Sequence, residues 1–459
     1  MKKLAAVILA GGQSTRMKSK TLKVLHPLAG KPLISYPLGV AKALKATPIC
    51  AVIPPNQADL ENLLITLDTT IAYQNEALGT GHAVMLGMKA LTSFPDGYVI
   101  VLSGDVPLIQ EETIRGLKQA MEKNGARLGL LSMRLAEPSP YGRIVRDLDG
   151  QVVRIVEDKD ASESEKAITE VNAGIYCFDK AWLSEALHHL KPNNVKGEYY
   201  LTDLVGLAVE QNVGVVAHAA ADPHEFLGVN TRIDLARVAE IMRRRINHRH
   251  MLAGVGILKE NDTYIDADVA IGEDTTVYPG VFLRGTTKIG KSCVIETGSV
   301  LTDMTLGDGV HIKPMCVLEQ STIGDDTAIG PFAHIRPKSQ IGRKVKIGNF
   351  VEVKKTVMKE GSKASHLSYL GDAKIGKEVN IGCGTITCNY DGHSKHETVI
   401  GDDVFVGSDV QFVAPVSIGA GSTIGAGSTI TEDVPENSLA LSRTVQVVKK
   451  DWKPKWKRK

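Results

Sequence analysis

The first segment that could do chemistry is the loop Leu9–Met17, which carries the adjacent glycines Gly11 and Gly12. Backbone N–H groups at such glycines can approach phosphate oxygens, and Arg16 and Lys23 supply positive charge. The spacing matches neither the Gly-x-x-x-x-Gly-Lys-Ser/Thr nor the Gly-x-Gly-x-x-Gly pattern of common nucleotide-binding folds. The loop therefore predicts phosphate binding of another kind, and the alternative is a plain surface turn with solvated cations.

A carboxylate follows a predicted strand later in the chain. Asp105 comes directly after the strand Tyr98–Leu102, in the segment Ser103–Asp105. A carboxylate at the C-terminal end of a strand, facing a triphosphate, is where Mg²⁺ would be held. The alternative is an ordinary acidic residue in a turn.

The segment Ser362–Asp372 places His366 among small and polar residues. An imidazole can take a proton near pH 7, as acyl transfer from a thioester to an amine requires. A lone loop histidine is more often incidental, so the segment alone leaves both interpretations open. His311, His334 and His366 are too irregularly spaced to indicate a shared zinc ion.

Strands and helices alternate over the part of the chain that carries the first loop. A continuous apolar run, Leu4–Leu9, predicts a buried parallel strand, and Asp149-Gly150 predicts a hairpin turn. Further strands and helices are predicted near Pro32–Leu44, Ile49–Ile53, Asp59–Thr66, Thr70–Gln74, Thr80–Leu91, Tyr98–Leu102, Glu111–Lys123, Leu128–Arg134, Ile144–Asp147 and Gln151–Val156. This alternation predicts a doubly wound, Rossmann-like α/β sheet with mostly parallel strands, whose ligands bind beyond the C-terminal strand ends.

Residues 231–251 are predicted to form one connecting helix. Thr231 and Asp234 resemble a capping box, although Glu or Gln is the usual partner of the threonine. Arg243–Arg245 and Arg249 place cations in the last turns, where they suit the helix dipole. We interpret the segment as a connector between domains, and the alternative is a nucleic-acid-binding patch.

After residue 265 an aliphatic residue followed by glycine recurs at spacings of mostly 6 or near 18 residues. The pairs begin at Ile271, Ile289, Leu306, Ile323, Ile341, Ile347, Ile375, Ile381, Ile400, Val406, Ile418 and Ile424. A hexapeptide period is the signature of a parallel β-helix with three hexads in each turn. The period is interrupted between Ile347 and Ile375, where we expect Lys359–Tyr369 to leave the solenoid as a loop, and more mildly around Cys388–Gly392.

The composition excludes several classes of protein. The 459 residues carry 54 Lys and Arg against 52 Asp and Glu, a net charge of +2 that gives no argument for nucleic acid as a partner. The six cysteines are scattered, which suggests free thiols rather than disulfides or zinc ligands. No apolar run is long enough to span a bilayer, and the N-terminus lacks a cleavage site, so we expect a cytoplasmic protein. The basic tail Lys449–Lys459 is either solvated or reaches the phosphates of a ligand bound by the second half of the chain.

These motifs together resemble a known family. The loop Leu9–Met17 with Lys23 is similar to the signature of sugar-phosphate nucleotidylyltransferases, and the hexapeptide repeats follow in the expected order. The whole chain resembles the bifunctional enzymes that combine N-acetylglucosamine-1-phosphate uridylyltransferase and glucosamine-1-phosphate N-acetyltransferase activities. The resemblance implies a nucleotidyltransferase domain over residues 1–230, a helical linker over 231–251, and a left-handed β-helix acetyltransferase domain with a basic tail over 252–459.

The resemblance also implies roles for individual residues at the first site. Arg16 and Lys23 supply catalytic charge, and Asp105 and Asn230 hold Mg²⁺, although Asn230 alone could equally cap the following helix. The other residues implied to contact the nucleotide or the amino sugar are Leu9, Ala10, Gly11, Gly12, Gln74, Gly79, Thr80, Ser103, Gly104, Gly142, Glu157 and Asn172. The family usually has tyrosine where this chain has Ser103, which removes an aromatic wall and leaves Asp105 in place.

At the second site the resemblance makes His366 the catalytic base, and Glu352 could orient its imidazole. The sugar phosphate is expected to contact Arg336, Lys354, Tyr369, Asn380, Asn389 and Tyr390, and acetyl-CoA to contact Cys383, Ser408, Ala426 and Arg443. The family typically has alanine at the position of Cys383.

The implied reactions are acetylation of glucosamine 1-phosphate by acetyl-CoA and transfer of UMP from UTP to N-acetylglucosamine 1-phosphate, with release of pyrophosphate. The uridylyl step is an in-line displacement that needs positioning and charge neutralisation rather than a general base. Family members assemble as trimers with acetylation sites between neighbouring subunits. Two other functions stay open at this stage: a nucleotidylyltransferase with a purely structural solenoid, and a catalytically silent scaffold.

Overall fold

The structure is a computed structural model that describes residues 2–12, 15–192, 194, 197–454 and 456. Contacts divide the chain into two units, Met1–Met242 and Arg243–Lys459. Gln13 and Ser14 of the first loop, and Lys455 and Lys457–Lys459 of the basic tail, lie outside the described residues. None of the helices in the described part of the chain combines the length and the apolar character that crossing a bilayer requires.

The first unit is a doubly wound α/β domain, as the alternating pattern predicts. Its strands are β1 (Leu4–Leu9), β2 (Pro27–Leu28), β3 (Lys31–Pro32), β4 (Ile49–Ile53), β5 (Thr70–Tyr73), β6 (Tyr98–Ser103), β7 (Leu128–Arg134), β8 (Arg143–Arg146), β9 (Val152–Val156), β10 (Glu170–Asp179) and β11 (Val215–Ala219). Its helices are α1 (Ser35–Ala43), α2 (Ala58–Thr66), α3 (Thr80–Ala90), α4 (Glu111–Asn124), α5 (Glu163–Lys166), α6 (Lys180–Ala186) and α7 (Asp203–Glu210), with α8 (Arg232–Leu252) following. Short 3₁₀ turns cover Thr15–Met17, Lys23–Leu25, Leu187–His189 and Pro223–Phe226.

The main sheet has the strand order β11-β7-β10-β6-β1-β4-β5. All neighbours in this order are parallel except β10, which runs antiparallel to both β6 and β7. Alternate residues of β1 enter separate apolar clusters, Ala6 and Ile8 in one and Ala5 and Val7 in the other, so the strand is buried on both faces. β8 and β9 form the predicted antiparallel hairpin.

The sheet determines where a ligand can bind. The chain passes from β1 to β4 on one side of β1, whereas β6 pairs with the other side. In open α/β sheets, the crevice at such a switch point, beyond the C-terminal strand ends, is the usual ligand site. The loops after β1 and β6 therefore meet where the sequence places Gly11 and Asp105.

The predicted connecting helix is α8, which begins with the predicted capping box. Thr231 Oγ1 accepts a hydrogen bond of 3.1 Å from Asp234 N, and Asp234 Oδ2 accepts one of 2.8 Å from Thr231 N. Aspartate therefore does here what Glu or Gln usually does. The boundary between the two units falls within this helix.

The second unit is a parallel β-helix with three strands in each turn. One set of stacked strands comprises Ala270–Ile271, Lys288–Ile289, Thr305–Leu306, Thr322–Ile323, Gln340–Ile341, Val357–Met358, Ala373–Ile375, Thr398–Ile400 and Val416–Ile418. The strands of the other faces are Gly256–Ile257, Tyr264–Ile265, Thr276–Val277, Phe282–Arg284, Val294–Ile295, Val300–Thr302, His311–Ile312, Val317–Glu319, Ala328–Ile329, His334–Arg336, Lys346–Lys354, Lys363–Gly371, Asn380–Ile381, Ile386–Cys388, Phe405–Val406, Gln411–Val413, Thr423–Ile424, Thr429–Ile430 and Leu439–Ala440.

The expectation that Lys359–Tyr369 leaves the solenoid is wrong. Residues Lys363–Gly371 form a strand that pairs in parallel with Lys346–Lys354. Met358 pairs with Ile341 on one side and with Ile375 on the other, so it takes the inward position that isoleucine has elsewhere. The repeat continues through this coil without its glycine.

The second interruption is the real insertion. Ile375 pairs with Ile400, 25 residues later, whereas the other turns take 16 to 18 residues, as between Ile271 and Ile289. The extra chain follows Cys388 and includes an antiparallel bridge between Tyr390 and Lys395.

Candidate functional site

A cavity of about 420 Å³ opens at the C-terminal ends of β1 and β6. Its walls come from the first loop, the start of α3, the end of β6 and two later loops. The lining residues are Leu9, Ala10, Gly11, Gly12, Leu22, Lys23, Val24, Gln74, Ala77, Gly79, Thr80, Ala83, Ser103, Asp105, Glu157, Glu198 and Tyr200. The volume lies in the range of small-molecule sites.

Lys23 and Asp105 line this cavity, and two more of the predicted site residues contact them or each other. The Lys23 ammonium contacts the Asp105 carboxylate and donates to Asn230 Oδ1 at 3.1 Å. Arg16 also donates to Asn230 Oδ1, at 3.0 Å. Asp105 and Asn230 therefore both present oxygens to the Lys23 ammonium, and carboxylate and amide oxygens are ligands that hard divalent ions take.

Backbone bonds fix these oxygens in place. Gly104 N donates to Leu9 O at 2.8 Å, which ties the end of β6 to β1, and Val229 N donates to Asp105 O at 2.9 Å. Asn230 does not cap α8 with its side chain, because Thr231 does so. The two interpretations of Asn230 are thus separated: its side chain faces Lys23 and Arg16.

Gln74 lies on the same wall, beside two glycines. A Cβ on Gly11 would lie 2.4 Å from Gln74 Oε1, so a larger residue there would force the Gln74 amide to move. Gly79 has φ +103°, and a Cβ there would lie 2.6 Å from Tyr199 O. Gln74 Nε2 donates to Gly79 O at 3.2 Å, and Thr80 Oγ1 accepts from Leu201 N at 3.2 Å.

The residues expected at the amino sugar are only partly on the cavity wall. Glu157 lines it and accepts from Thr202 Oγ1 at 3.3 Å. Gly142 and Asn172 are not among the lining residues, and Asn172 donates its side-chain amide to the Tyr176 hydroxyl at 2.7 Å. Asn172 N donates to Gly142 O at 2.8 Å, so the two residues lie together.

Sequence reasoning missed part of the wall. Glu198 and Tyr200 line the cavity from the segment before α7. No motif or period marks that segment, and only the fold brings it beside the start of α3, where Gly81 N donates to Tyr199 O at 2.8 Å.

In the second unit, His366 stands opposite Asn349 in the pairing of Lys363–Gly371 with Lys346–Lys354. His366 Nδ1 lies 3.1 Å from Asn349 Oδ1, and because that oxygen can only accept, Nδ1 carries the proton. His366 is exposed. In the neutral imidazole Nε2 is then the nitrogen with a lone pair, as a general base requires.

Glu352, which was expected to orient the imidazole, does not hydrogen-bond to it in this structure. In the same register Glu352 stands opposite Tyr369, three positions beyond Asn349. Its Oε1 instead accepts from Arg336 at 2.8 Å. Asn349, which the sequence analysis missed, occupies the position that stacks on His366.

Arg336, Lys354 and Lys395 form a cluster of three cations. Arg336 and Lys354 are register partners, so both expected phosphate-binding residues lie side by side. The neighbouring Lys395 ammonium chiefly lowers the pKa of Lys354, and Arg336 adds to the effect. Lys395 was also missed, and the signal for it was the milder interruption of the repeat around Cys388–Gly392.

The other expected sugar contacts lie on neighbouring coils. Tyr369 and Asn380 are half-buried, and Tyr390 is exposed on the inserted loop. Asn389 is buried and donates its amide to Asp372 Oδ2 at 2.6 Å, so its side chain holds the base of that loop. The expected contact with substrate would have to come from its backbone.

The residues expected at acetyl-CoA occupy one edge of the solenoid. Asp409 N donates to Cys383 O at 2.6 Å and Gly427 N donates to Ser408 O at 2.8 Å, so these corners stack directly. Ala426 and Arg443 continue the edge, with a Cβ on Gly427 lying 3.9 Å from the Arg443 side chain. All four expected residues are exposed.

The six cysteines are free. Cys50, Cys177, Cys293 and Cys316 are buried, and burial raises the pKa of each thiol, that of Cys316 to about 11. Cys383 is exposed and Cys388 is half-buried. Within the described residues no three His, Cys, Asp or Glu side chains form a metal-binding cluster.

Comparisons with known proteins agree with this architecture. A family model described as the MobA-like NTP transferase domain matches residues 6–163, and the bacterial transferase hexapeptide model matches residues 320–355 and 397–432. Relatives named bifunctional protein GlmU occur in Geobacter sulfurreducens (51% identity, 99% of each chain), Geotalea uraniireducens (50%, 100% of each) and Clostridioides difficile (45%, 97% of this chain and 96% of the relative).

The two halves of the chain thus carry the two domain types in the order of these relatives, along almost their whole length. The chain belongs to the GlmU family of bifunctional N-acetylglucosamine-1-phosphate uridylyltransferases and glucosamine-1-phosphate N-acetyltransferases.

Proposed function

We propose that the cavity of the first unit transfers UMP from UTP to N-acetylglucosamine 1-phosphate, and that the cluster around His366 acetylates glucosamine 1-phosphate with acetyl-CoA. Together the two reactions yield UDP-N-acetylglucosamine, pyrophosphate and coenzyme A. The observation that carries the assignment of the first site is one contact cluster of Arg16, Lys23, Asp105 and Asn230, of which Lys23 and Asp105 line the cavity.

In the first reaction, an oxygen of the sugar phosphate forms a bond to the α-phosphorus of UTP, and the bond to the pyrophosphate oxygen breaks. The attacking oxygen is already an anion, so no residue has to remove a proton. Arg16 and Lys23 hold the phosphates and neutralise the charge that develops on them. This role fits two cations that already share the acceptor Asn230.

The side chains around Lys23 fit a divalent cation. Asp105 and Asn230 present oxygens to one ammonium, and replacing that ammonium by Mg²⁺ would keep both contacts. Held by these two residues, Mg²⁺ would add positive charge at the phosphates. Lys23 would then be released from Asp105 to contact substrate.

The remaining wall of the cavity would select the substrates. Gln74 and the Gly79–Thr80 turn are assigned to the uracil and its ribose, because an amide can match the donors and acceptors of the base edge. Glu157 is assigned to the amino sugar. Gly142 and Asn172 are assigned to shaping the strand ends beside Glu157.

In the second reaction, the amine nitrogen of glucosamine 1-phosphate bonds to the thioester carbon, and the carbon–sulfur bond breaks. His366 Nε2 takes the proton from nitrogen, and coenzyme A leaves as the thiol after receiving a proton. Asn349 holds the imidazole in the tautomer that leaves Nε2 unprotonated. Asn349 is therefore a positioning residue.

Arg336, Lys354 and Lys395 are assigned to the phosphate of the sugar. Three neighbouring cations repel each other, as the lowered pKa of Lys354 reflects, and a bound dianion would remove that repulsion. The edge formed by Cys383, Ser408, Ala426 and Arg443 is assigned to acetyl-CoA. Its exposure along successive corners suits a long, thin ligand.

We also propose that the protein is a homotrimer and that it acts in the cytoplasm, because UTP and acetyl-CoA are found there. An exposed apolar stripe supports contact between copies: Met315, Phe332, Phe350 and Leu367 are 49–60% exposed on consecutive coils. Each has a positive φ, a conformation that glycine adopts at Gly298 and Gly384 of the neighbouring coils. Contact with water does not explain large apolar side chains at such strained corners, whereas burial against a second copy of the chain does. Sedimentation equilibrium should give three times the chain mass, with dissociation in Phe350→Ser.

The test of function is a reconstitution with omissions. Purified protein is mixed with UTP, Mg²⁺, acetyl-CoA and glucosamine 1-phosphate, and UDP-N-acetylglucosamine, pyrophosphate and coenzyme A are measured. His366→Ala should abolish coenzyme A release while leaving uridylyl transfer to N-acetylglucosamine 1-phosphate unchanged. Equal loss of both reactions in this variant would contradict the two-site assignment.

A further inference from the structure

A second cavity of about 540 Å³ lies elsewhere in the first unit. One wall is α3, and the other is α6 with the 3₁₀ turn Leu187–His189 that follows it. The beginning of α3, at Thr80, belongs to the nucleotide cavity, whereas His82 and Met88 of the same helix line the second one. The two cavities therefore share a helix and no lining residue.

The lining of the second cavity is apolar with a cationic edge. Its apolar part comes from Met85, Leu86, Met88, Leu91 and Leu187. Lys89 and Lys180 add positive charge, and no lining residue in the described part of the chain is Asp or Glu. Lys180 donates to Phe94 O, whereas Lys89 is exposed on the surface of α3. A cavity with this volume and charge suits a small ligand with an apolar body and one anionic group.

We propose that this cavity binds an amphipathic organic anion, such as a medium-chain carboxylate, with its chain among the methionines and leucines and its carboxylate at Lys89. Flexible methionine side chains adapt to ligands of different shape. The charge complementarity argues for such an anion rather than a neutral apolar molecule, which would gain nothing from Lys89. It also argues against a second copy of the chain, whose surface charge is nearly balanced overall.

His82 gives this cavity a connection to the nucleotide. His82 Nδ1 lies 3.3 Å from Gln74 Nε2, and it must accept because the amide nitrogen can only donate. The same Nε2 donates to Gly79 O, so the Gln74 amide has one defined orientation, with Oε1 beside Gly11.

A ligand in the second cavity packs against His82, which lines it, and displaces the imidazole. Nδ1 then no longer accepts a hydrogen bond from Gln74 Nε2. The amide must turn or move, which changes the group that meets the nucleobase. The anion therefore weakens UTP binding, and UTP weakens binding of the anion by the same factor. This effect on UTP rests on the proposed function of the first cavity.

Binding is tested first, with decanoate as the probe, below its micelle concentration, by titration calorimetry on the full-length protein. One decanoate should bind per chain, and Lys89→Glu should weaken binding at least tenfold. Lys123→Glu makes the same charge change at an exposed position in the last turn of α4 and should bind as wild type. No binding, several equal sites, or equal affinities in the two variants would overturn the proposal. The proposal would also be overturned if Lys89→Glu changed the oligomeric state of the protein and left its affinity for decanoate unchanged.

The connection is tested by the KM for UTP, measured from pyrophosphate release with and without saturating decanoate. Decanoate should raise this KM severalfold in wild type and leave it unchanged in His82→Leu, which still binds decanoate. An unchanged KM in wild type, or an equal rise in both proteins, would refute the role of His82. Absence of pyrophosphate release without decanoate would instead refute the proposed function, while calorimetry still reports on the cavity.

Discussion

Replacing Asn349 by alanine removes the hydrogen-bond partner of His366 Nδ1. A neutral hydrogen bond contributes about 1 kcal/mol net, and about 1.4 kcal/mol corresponds to a factor of ten in rate. Without Asn349 the imidazole can rotate and take the other tautomer, so we expect kcat for acetyl transfer to fall about fivefold. Asn349 is only half-buried, so the variant should fold normally.

Acetyl transfer is measured by release of the coenzyme A thiol at saturating substrates, and kcat and KM are separated for both substrates. The loss in Asn349→Ala should lie in kcat, because Arg336 and Lys354 still hold the sugar phosphate. Asn349→Asp keeps the acceptor but adds a negative charge. That charge favours the protonated imidazole, so the acid limb of kcat/KM should move to higher pH. Uridylyl transfer serves as the internal control.

Glu352→Gln decides between the two candidate partners of His366. Glu352 bonds to Arg336, so its replacement should change the KM for glucosamine 1-phosphate and leave the acid limb of the pH profile in place. The reasoning fails if Asn349→Ala has wild-type kcat and Glu352→Gln moves the acid limb. That outcome would mean that the carboxylate reaches the imidazole in the working enzyme.

Three further predictions concern separate parts of the chain. Arg16→Ala should lower uridylyl transfer about 100-fold, the usual cost of a lost charge-stabilising donor, with coenzyme A release unchanged; a loss below threefold would contradict its role. Ser103 Oγ donates to Asp105 Oδ1, so Ser103→Ala should weaken Mn²⁺ binding, followed by electron paramagnetic resonance, about tenfold; equal affinity would contradict an orienting role. Burial lowers the pKa of His250 to about 4. As the pH falls below about 6.5, the imidazole of His250 is protonated in the unfolded chain but not in the folded protein. The free energy of unfolding therefore decreases between about pH 6.5 and 4. Thermal unfolding of His250→Leu should depend less on pH over that window than wild type, and identical slopes would contradict this.

Much of the fold could be predicted from the sequence because its signals are local. Continuous apolar runs mark β1, β4 and β6, and the Asp149-Gly150 turn marks the hairpin of β8 and β9. The antiparallel direction of β10 could not be predicted, because its apolar run has the same appearance in either direction.

The solenoid was predicted in outline and missed in one coil. The period consists of aliphatic–glycine pairs, and Met358 fills the same inward position without a glycine. Packing requires only an apolar side chain of suitable volume at this position. A sequence rule based on the commonest residue therefore fails at Met358, although the coil itself continues.

Side-chain partners at the second site were the least predictable feature. Residues that stack in a β-helix are one turn apart, so His366 meets Asn349 rather than a residue beside it in the sequence. Choosing between Asn349 and Glu352 requires the register to the single residue, and a one-residue shift turns a side chain to the other face. The interruption of the period hid that register.

The departures from the repeat are also what equip the solenoid for chemistry. In a regular coil the backbone groups of the strands hydrogen-bond to the neighbouring coils. Without the insertion, the face that carries Arg336 and Lys354 would have only these two cations. The turn from Ile375 to Ile400 is longer than the others, and the extra chain brings Lys395 to Lys354. The loop keeps its shape because Asn389 is buried against Asp372 and His396 N donates to Asn389 O at 2.8 Å. Shortening this turn to the regular length should therefore leave the solenoid folded, while the KM for glucosamine 1-phosphate rises. A truncated loop with unchanged KM would show that two cations suffice.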